Sequence, residues 1–338
     1  MVRPSAFFFC TARGKVVSLP ATVMASHEKL NQIIASYPRI VICGHHLPDG
    51  DCYGCQIGLR EILRLAYPEK EIYAVGTGVP ALFARFAPMD EVPDEAFQNA
   101  LVILVDVSCL RRAEDPRVFS SPCAIKFDHH EKNELSETFQ GESFVDSQRV
   151  SCGEIICDFV RANNMPMNRL AAEALYMSIV TDSGHFRFDG VTQETFKTVA
   201  GLFRYGVEPK SIFDILFHET PEEKAYQKWM KENARCVGQV SYVYAKRSDY
   251  ERFGLTYERA GGFANALLGL NHSNIFFYCC ERDDDYVRVE IRSAKRYPVQ
   301  ETAKHFGGGG HRYASGMEII NGKPTLEEII DALNAVTI

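Results

Sequence analysis

The segment His45-His46-Leu47-Pro48-Asp49-Gly50-Asp51 carries two carboxylates and an imidazole on one tight loop. Alternate aspartates in an extended turn can point at neighbouring cations. Mixed carboxylate and imidazole ligation suits borderline to hard divalent ions, manganese first, with magnesium, cobalt or zinc also allowed. Taken alone, the segment reads as readily as a capped loop with surface carboxylates. Three later segments change the balance: Asp106, Asp128-His129-His130 and Asp182, each closing an apolar run. A lone Asp or His is usually a cap or a satisfied core residue. Four such sites at the ends of apolar elements are harder to explain that way. Two cations roughly 3.5 to 4 Å apart would lower the pKa of a shared water and neutralise charge on an in-line phosphoryl transition state. That chemistry requires no Ser or Cys nucleophile.

The elements that must position these groups are short apolar runs: 40–43, 71–75, 101–105 and 124–127. Runs of four or five such residues, alternating with helical stretches, predict strands buried on both faces of a largely parallel sheet. The acidic and histidine residues then fall at the carboxyl ends of strands, where open α/β sheets bind ligands. Helices are expected over 151–163, opened by the capping-box order Ser151-x-x-Glu154, and over 169–180, with Asp182 at the C-terminal end. A charged helix over 221–235, opened by Pro221-Glu222-Glu223, reads as a connector. Beyond it, 237–244, 274–280 and the alternating 286–292 read as strands of a half-exposed sheet, closed by a helix over 326–336. The expected architecture is α/β: a mostly parallel sheet with flanking helices over 25–220, a helical linker over 221–235, and a smaller α+β domain over 236–338. Residues 1–24 read as a poorly ordered extension, with Met24 as an alternative start.

A chain of 338 residues with 46% hydrophobic and 24% charged residues is an ordinary globular composition with room for two cores. Its formal charge of -7 argues against a protein that coats long nucleic acid, because such affinity comes from neutralising phosphates with Lys and Arg. A small phosphorylated ligand held by a few cations and metals stays compatible. The 11 cysteines show no framework of a small secreted domain and point to reduced thiols in a cytosol. The apolar run 7–9 is far too short to span a membrane, which needs about 20 residues. Cys52-x-x-Cys55 has zinc-ligand spacing but no second pair, so it reads as structural. The run Gly307 to Gly310 is by itself weak evidence, since glycines often mark turns; they also let backbone amides approach an anion closely.

The ordered set His45-x-x-Pro48-Asp49-x-Asp51, Asp106, Asp128-His129-His130 and Thr181-Asp182-Ser183-Gly184 resembles the four motifs of the DHH phosphoesterase superfamily. Arg292-Ser293 with Gly307-Gly308-Gly309-Gly310-His311-Arg312-x-Ala314-Ser315-Gly316 resembles the substrate-binding motif of a DHH-associated domain. The resemblance covers nearly everything after residue 25 and is closest to the NrnA-type branch of oligoribonucleases and 3′,5′-bisphosphate nucleotidases. It implies one metal on His45, Asp49 and Asp106 and a second on Asp51, Asp106, His129 and Asp182, with Asp106 bridging. Asp128 would orient an imidazole, and His130 would contact the substrate phosphate or protonate the leaving oxygen. Arg292, Ser293, Gly308, Gly309, Gly310 and His311 would hold a terminal phosphate or nucleotide facing the metals. Arg112 is either a further phosphate contact or a plain exposed arginine. His185 and Cys55 depart from the usual pattern, and Arg187 is placed to substitute for the former.

The resemblance implies hydrolysis of short RNA to mononucleotides and dephosphorylation of 3′-phosphoadenosine 5′-phosphate, with two divalent ions, manganese foremost, as cofactors. A phosphodiesterase for cyclic di-AMP or linear pApA is the second enzymatic reading. A non-catalytic nucleotide-binding regulator is the reading of another class, and it would need a missing ligand; all six ligating side chains are present. The expected partners are short RNA or small phosphorylated nucleotides, not long double-stranded nucleic acid and not a membrane. A cytoplasmic location is expected, and a homodimer is allowed.

Overall fold

A computed structural model describes residues 7–10, 16–19, 26–77, 79, 83, 86–108, 112–121, 123–130, 141–188, 190–216, 218–270, 273–283, 285–293 and 296–338. Most of the expected extension over 1–24 lies outside the described residues. Within it, β1 (Phe7–Cys10) and β2 (Val16–Leu19) pair antiparallel. The rest divides into two compact units, one ending at His218 and the other starting at Glu219.

The first unit is a five-stranded, wholly parallel sheet in the order β4-β3-β5-β6-β7, built from β3 (Arg39–Cys43), β4 (Glu71–Val75), β5 (Leu101–Val105), β6 (Cys123–Asp128) and β7 (Gly141–Val145). The expected strands sit where the apolar runs lie, because a strand covered on both faces must be apolar on both. The edge strand β7 is only half-buried along its length, and no apolar run announces it. The strand order reverses between β3 and β5, so the carboxyl ends of these two strands open the crevice in which doubly wound sheets hold their ligands.

Helices α1 (His27–Ser36), α2 (Gly50–Ala66), α3 (Cys152–Ala162), α4 (Arg169–Asp182), α5 (Gln193–Leu202) and α6 (Pro209–Leu216) accompany the sheet. Every residue of α2 from Gly50 to Arg60 is buried, so this helix is enclosed rather than amphipathic. Its approach to α4 depends on missing side chains: a Cβ on Gly54 would stand 2.4 Å from the Ala174 carbonyl oxygen. The expected capping box at α3 forms by half. Ser151 Oγ accepts from Glu154 N at 3.3 Å, but the Glu154 carboxylate turns to Val150 N at 2.8 Å.

The second unit is a mixed six-stranded sheet in the order β12-β13-β11-β10-β9-β8, in which β9 and β10 are parallel and the other pairs antiparallel. The run expected as one strand over 237–244 is two, β8 (Arg235–Val237) and β9 (Val240–Ala245), split by a turn at Gly238, whose φ of 62° favours glycine. Strands β10 (Ile275–Asp283) and β11 (Tyr286–Ser293) follow, and β11 alternates as expected: Val287, Val289 and Ile291 are buried while Arg288, Glu290 and Arg292 line the other face. The helix expected as a connector, α7 (Pro221–Glu232), buries Tyr226 and Met230 in one of this unit's two cores and carries a capping box at Thr220 and Glu223. Short helices α8 (Arg247–Glu251), α9 (Tyr257–Gly261) and α10 (Gln300–His305) precede the last strands, and α11 (Leu326–Asn334) closes the chain. Part of the glycine run is an edge strand rather than a loop: β12 (Gly309–His311) pairs with β13 (Ala314–Ile320). No helix among the described residues is long and apolar enough to cross a membrane.

Candidate metal centre

The loop after β3 delivers His45 and Asp49 and leads into α2, so Asp51 lies in that helix's first turn. Asp49 caps the helix: its Oδ1 accepts from Asp51 N at 3.1 Å and Cys52 N at 3.0 Å. Asp106 follows β5 with a φ of 57°, a left-handed conformation that is uncommon for a non-glycine residue and concentrates at functional sites. His129 and His130 follow β6, and Asp182 ends α4. Four elements thus bring their C-terminal ends to one place.

Asp106 stands between two imidazoles. Its Oδ2 lies 3.6 Å from His45 Nε2 and its Oδ1 lies 3.6 Å from His129 Nε2. His129 Nε2 also lies 3.2 Å from Asp182 Oδ2 and 3.6 Å from Asp51 Oδ2, while His45 Nε2 is 3.8 Å from Asp49 Oδ1. The far ring nitrogens are engaged elsewhere: His45 Nδ1 meets the His46 carbonyl at 3.0 Å, and His129 Nδ1 meets that of Arg149 at 3.3 Å. These bonds turn both Nε2 atoms towards the carboxylates, as ligating histidines require.

The electrostatics are those of too many anions in too little water. Burial and the neighbouring Asp106 push the Asp51 carboxyl up to about 7. Burial also holds Asp182 well above the usual carboxylate range, against the pull of His129 and with the help of Asp51 and Asp106. Burial works against a charged His129, yet Asp182, Asp51 and Asp106 raise it to about 9. Asp106 is 3% exposed, and its Oδ1 has no hydrogen-bond partner. A buried acceptor without a donor is costly, and a cation satisfies it. The donor set of carboxylate oxygens and imidazole nitrogens fits two divalent ions.

Behind this cluster, His130 Nδ1 lies 2.6 Å from Asp128 Oδ1, and Asp128 Oδ2 lies 3.0 Å from the ammonium of Lys126, which is 1% exposed. Burial alone would raise Asp128, but His130 and Lys126 hold it down at about 2. Lys126 was not anticipated, although a lysine in the apolar run before Asp128, two residues away and so on the same strand face, is a usable signal. Ser178, one helical turn before Asp182, was also missed; its hydroxyl donates to Asp51 Oδ1 at 2.5 Å. Cys152 N at 2.9 Å adds a second donor to Asp51.

Six expected ligands, with Asp128 and His130, therefore gather in the first unit. The side chain of Arg112 is exposed, and its carbonyl accepts from His46 N at 2.8 Å. Arg292, Ser293 and the glycines gather separately, at one end of the second unit's sheet, where Arg292 faces Ala314, and Gly309 and Gly310 face Gly316 and Ser315. There Arg292 Nη1 donates to Glu290 Oε2 at 3.0 Å and to the Ile291 carbonyl at 2.9 Å, while Ser293 Oγ accepts from Tyr297 N at 2.7 Å. The side chain of His311 lies outside the described residues. Arg187 Nη2 reaches His185 Nδ1 at 3.3 Å, pairing the two candidates for one role.

Residues 39–179 match the DHH family N-terminal domain and residues 238–337 the DHHA1 domain, and the chain belongs to the DHH family. It is 32% identical over 295 residues to the bifunctional oligoribonuclease and PAP phosphatase NrnA of Bacillus subtilis, covering 86% of this chain and 92% of that protein. The cyclic-di-AMP phosphodiesterase GdpP of the same organism is 20% identical, and the match spans 49% of its length. The crystal structure of an exopolyphosphatase-related protein from Bacteroides fragilis shares the fold, with a TM-score of 0.78 at 19% identity over 90% of this chain and 93% of that one.

Proposed function

We propose that this chain is a two-metal phosphoesterase that hydrolyses short oligoribonucleotides to mononucleotides and removes the 3′-phosphate of 3′-phosphoadenosine 5′-phosphate. The observation that carries the reading is Asp106, whose two oxygens face two different imidazoles in a buried cluster of like charges. His45, Asp49 and Asp106 would hold one ion and Asp51, Asp106, His129 and Asp182 the other, manganese foremost. When bound, the ions supply an activated water and neutralise phosphoryl charge. Ser178 and Cys152 N fix the Asp51 carboxylate. Asp128 engages His130 Nδ1 and so orients the ring, which would meet a substrate phosphate or protonate the leaving oxygen. Arg292, Ser293, Gly308, Gly309, Gly310 and His311 would bind the nucleotide end, and Arg112 a phosphate.

The activities for which the B. subtilis relative is named, matched along nearly its full length, support this substrate class over cyclic dinucleotides, whose enzyme the chain matches over about half its length. The reading includes a cytoplasmic location, no membrane partner and a homodimer as an allowed assembly. The test is release of mononucleotides from RNAs of two to five residues, and of phosphate from the bisphosphate, with manganese, cobalt and magnesium in turn. Turnover of both substrates is expected; cleavage of cyclic di-AMP or pApA alone would replace this substrate assignment with the second reading.

A further inference from the structure

We propose that Cys52 supplies a sulfur ligand to the ion held by His45 and Asp106, making that half of the centre selective for thiophilic divalent ions. The proposal rests on the two-metal reading and deepens it. Cys52 Sγ, a ring nitrogen of His45 and a carboxylate oxygen of Asp106 all lie within 4.8 Å of one another, and all three residues are buried. Asp106 brings to this place a carboxylate that is 3% exposed, with Oδ2 3.6 Å from His45 Nε2.

The competing ligand is differently placed. The Asp49 side chain is 61% exposed, and its Oδ1 is engaged by two backbone amides as the cap of α2. Cys52 is held by its surroundings: Sγ accepts from His45 N at 3.2 Å. Gly44 leaves the space it fills, since a Cβ there would stand 2.2 Å from Sγ. The other cysteine of the pair turns elsewhere, with Cys55 Sγ 3.4 Å from Asp51 Oδ1. On ligation the S–H bond breaks, its proton leaves to solvent, and a sulfur–metal bond forms with no change of oxidation state. Sulfur beside imidazole and carboxylate favours zinc, cobalt or iron(II) over magnesium. The carboxylate-rich half around Asp51 and Asp182 keeps its preference for manganese.

The test loads the metal-stripped full-length chain with cobalt(II), counts bound ions, and records the near-ultraviolet sulfur-to-cobalt charge-transfer band. The band is expected in the unaltered chain and in Cys236→Ser, an exposed thiol of the second unit, and is expected to vanish in Cys52→Ser and Cys52→Ala. In those two variants the preference for cobalt over magnesium should fall about tenfold or more. Two ions bound without a sulfur band, or a band that survives both substitutions, overturns the proposal and leaves the two-metal reading standing. No cobalt bound overturns both. Should the Cys52 variants not fold, the spectrum and ion count of the unaltered chain still decide.

Discussion

In the first unit three aspartates crowd around His129, whereas in the second two arginines flank one carboxylate: Arg288 at 2.6 Å and Arg292 at 3.0 Å from Glu290. The first cluster has surplus negative charge and an unpaired buried oxygen; in the second the carboxylate is paired on both sides. Charge left over in a dry site is unstable unless a ligand completes it. The aspartate cluster is thus arranged to take up cations. The arginine face sets two guanidinium groups on one carboxylate, and an anion there would compete with Glu290 for them.

The sharpest way to break this contrast is Asp106→Ala, which should abolish turnover and remove both ions while the chain stays folded, as checked by circular dichroism and elemental analysis. Next in size is Gly54→Ala. Its methyl would meet a backbone carbonyl that has no rotamer to move, so the midpoint of urea unfolding should drop by the equivalent of about 2 kcal/mol. An unchanged midpoint would mean that α2 and α4 are not locked together as described.

Metal dependence should also follow pH. Without metal, Asp51 titrates near 7 against an ordinary value of 3.8, so its proton stabilises the fold below that range and its charge weakens the fold above it. His129, raised to about 9, contributes stability that is full below 6.5 and lost as pH rises through 9. The gain in Tm on adding manganese should therefore grow from pH 6 to pH 8, measured by scanning calorimetry. A constant gain would show that protons and metal do not compete.

The smallest effect is expected in the second unit. Burial would raise Glu290, but Arg292 and Arg288 hold it below its ordinary value. Its contribution to stability is present above about pH 4.5 and falls away as the pH drops further. Glu290→Gln should flatten that acid limb, seen in denaturation curves between pH 3 and 6, with little change at neutral pH.

The parallel sheet was legible because strands covered on both faces leave continuous apolar runs, and the gathering of the expected ligands because most of them follow those runs. Less legible was anything decided by approach between distant segments. Ser178 reaches Asp51 only because α2 and α4 pack with glycine between them, and nothing in a local window states that pairing. The edge strand β7 lacks a covered second face and so lacks the pattern. Cys52 was read as structural because spacing alone cannot show that one cysteine of the pair turns towards His45 and Asp106 and the other towards Asp51. Similarly, 237–244 looks like one strand because the turn at Gly238 interrupts an otherwise continuous β-rich stretch.

The account stands most directly on the number of ions this centre holds. Titration of the metal-free chain with manganese, read by calorimetry and by elemental analysis of the dialysed protein, should give two ions per chain and none in Asp106→Ala. A single ion in the unaltered chain, or two retained without Asp106, would contradict it.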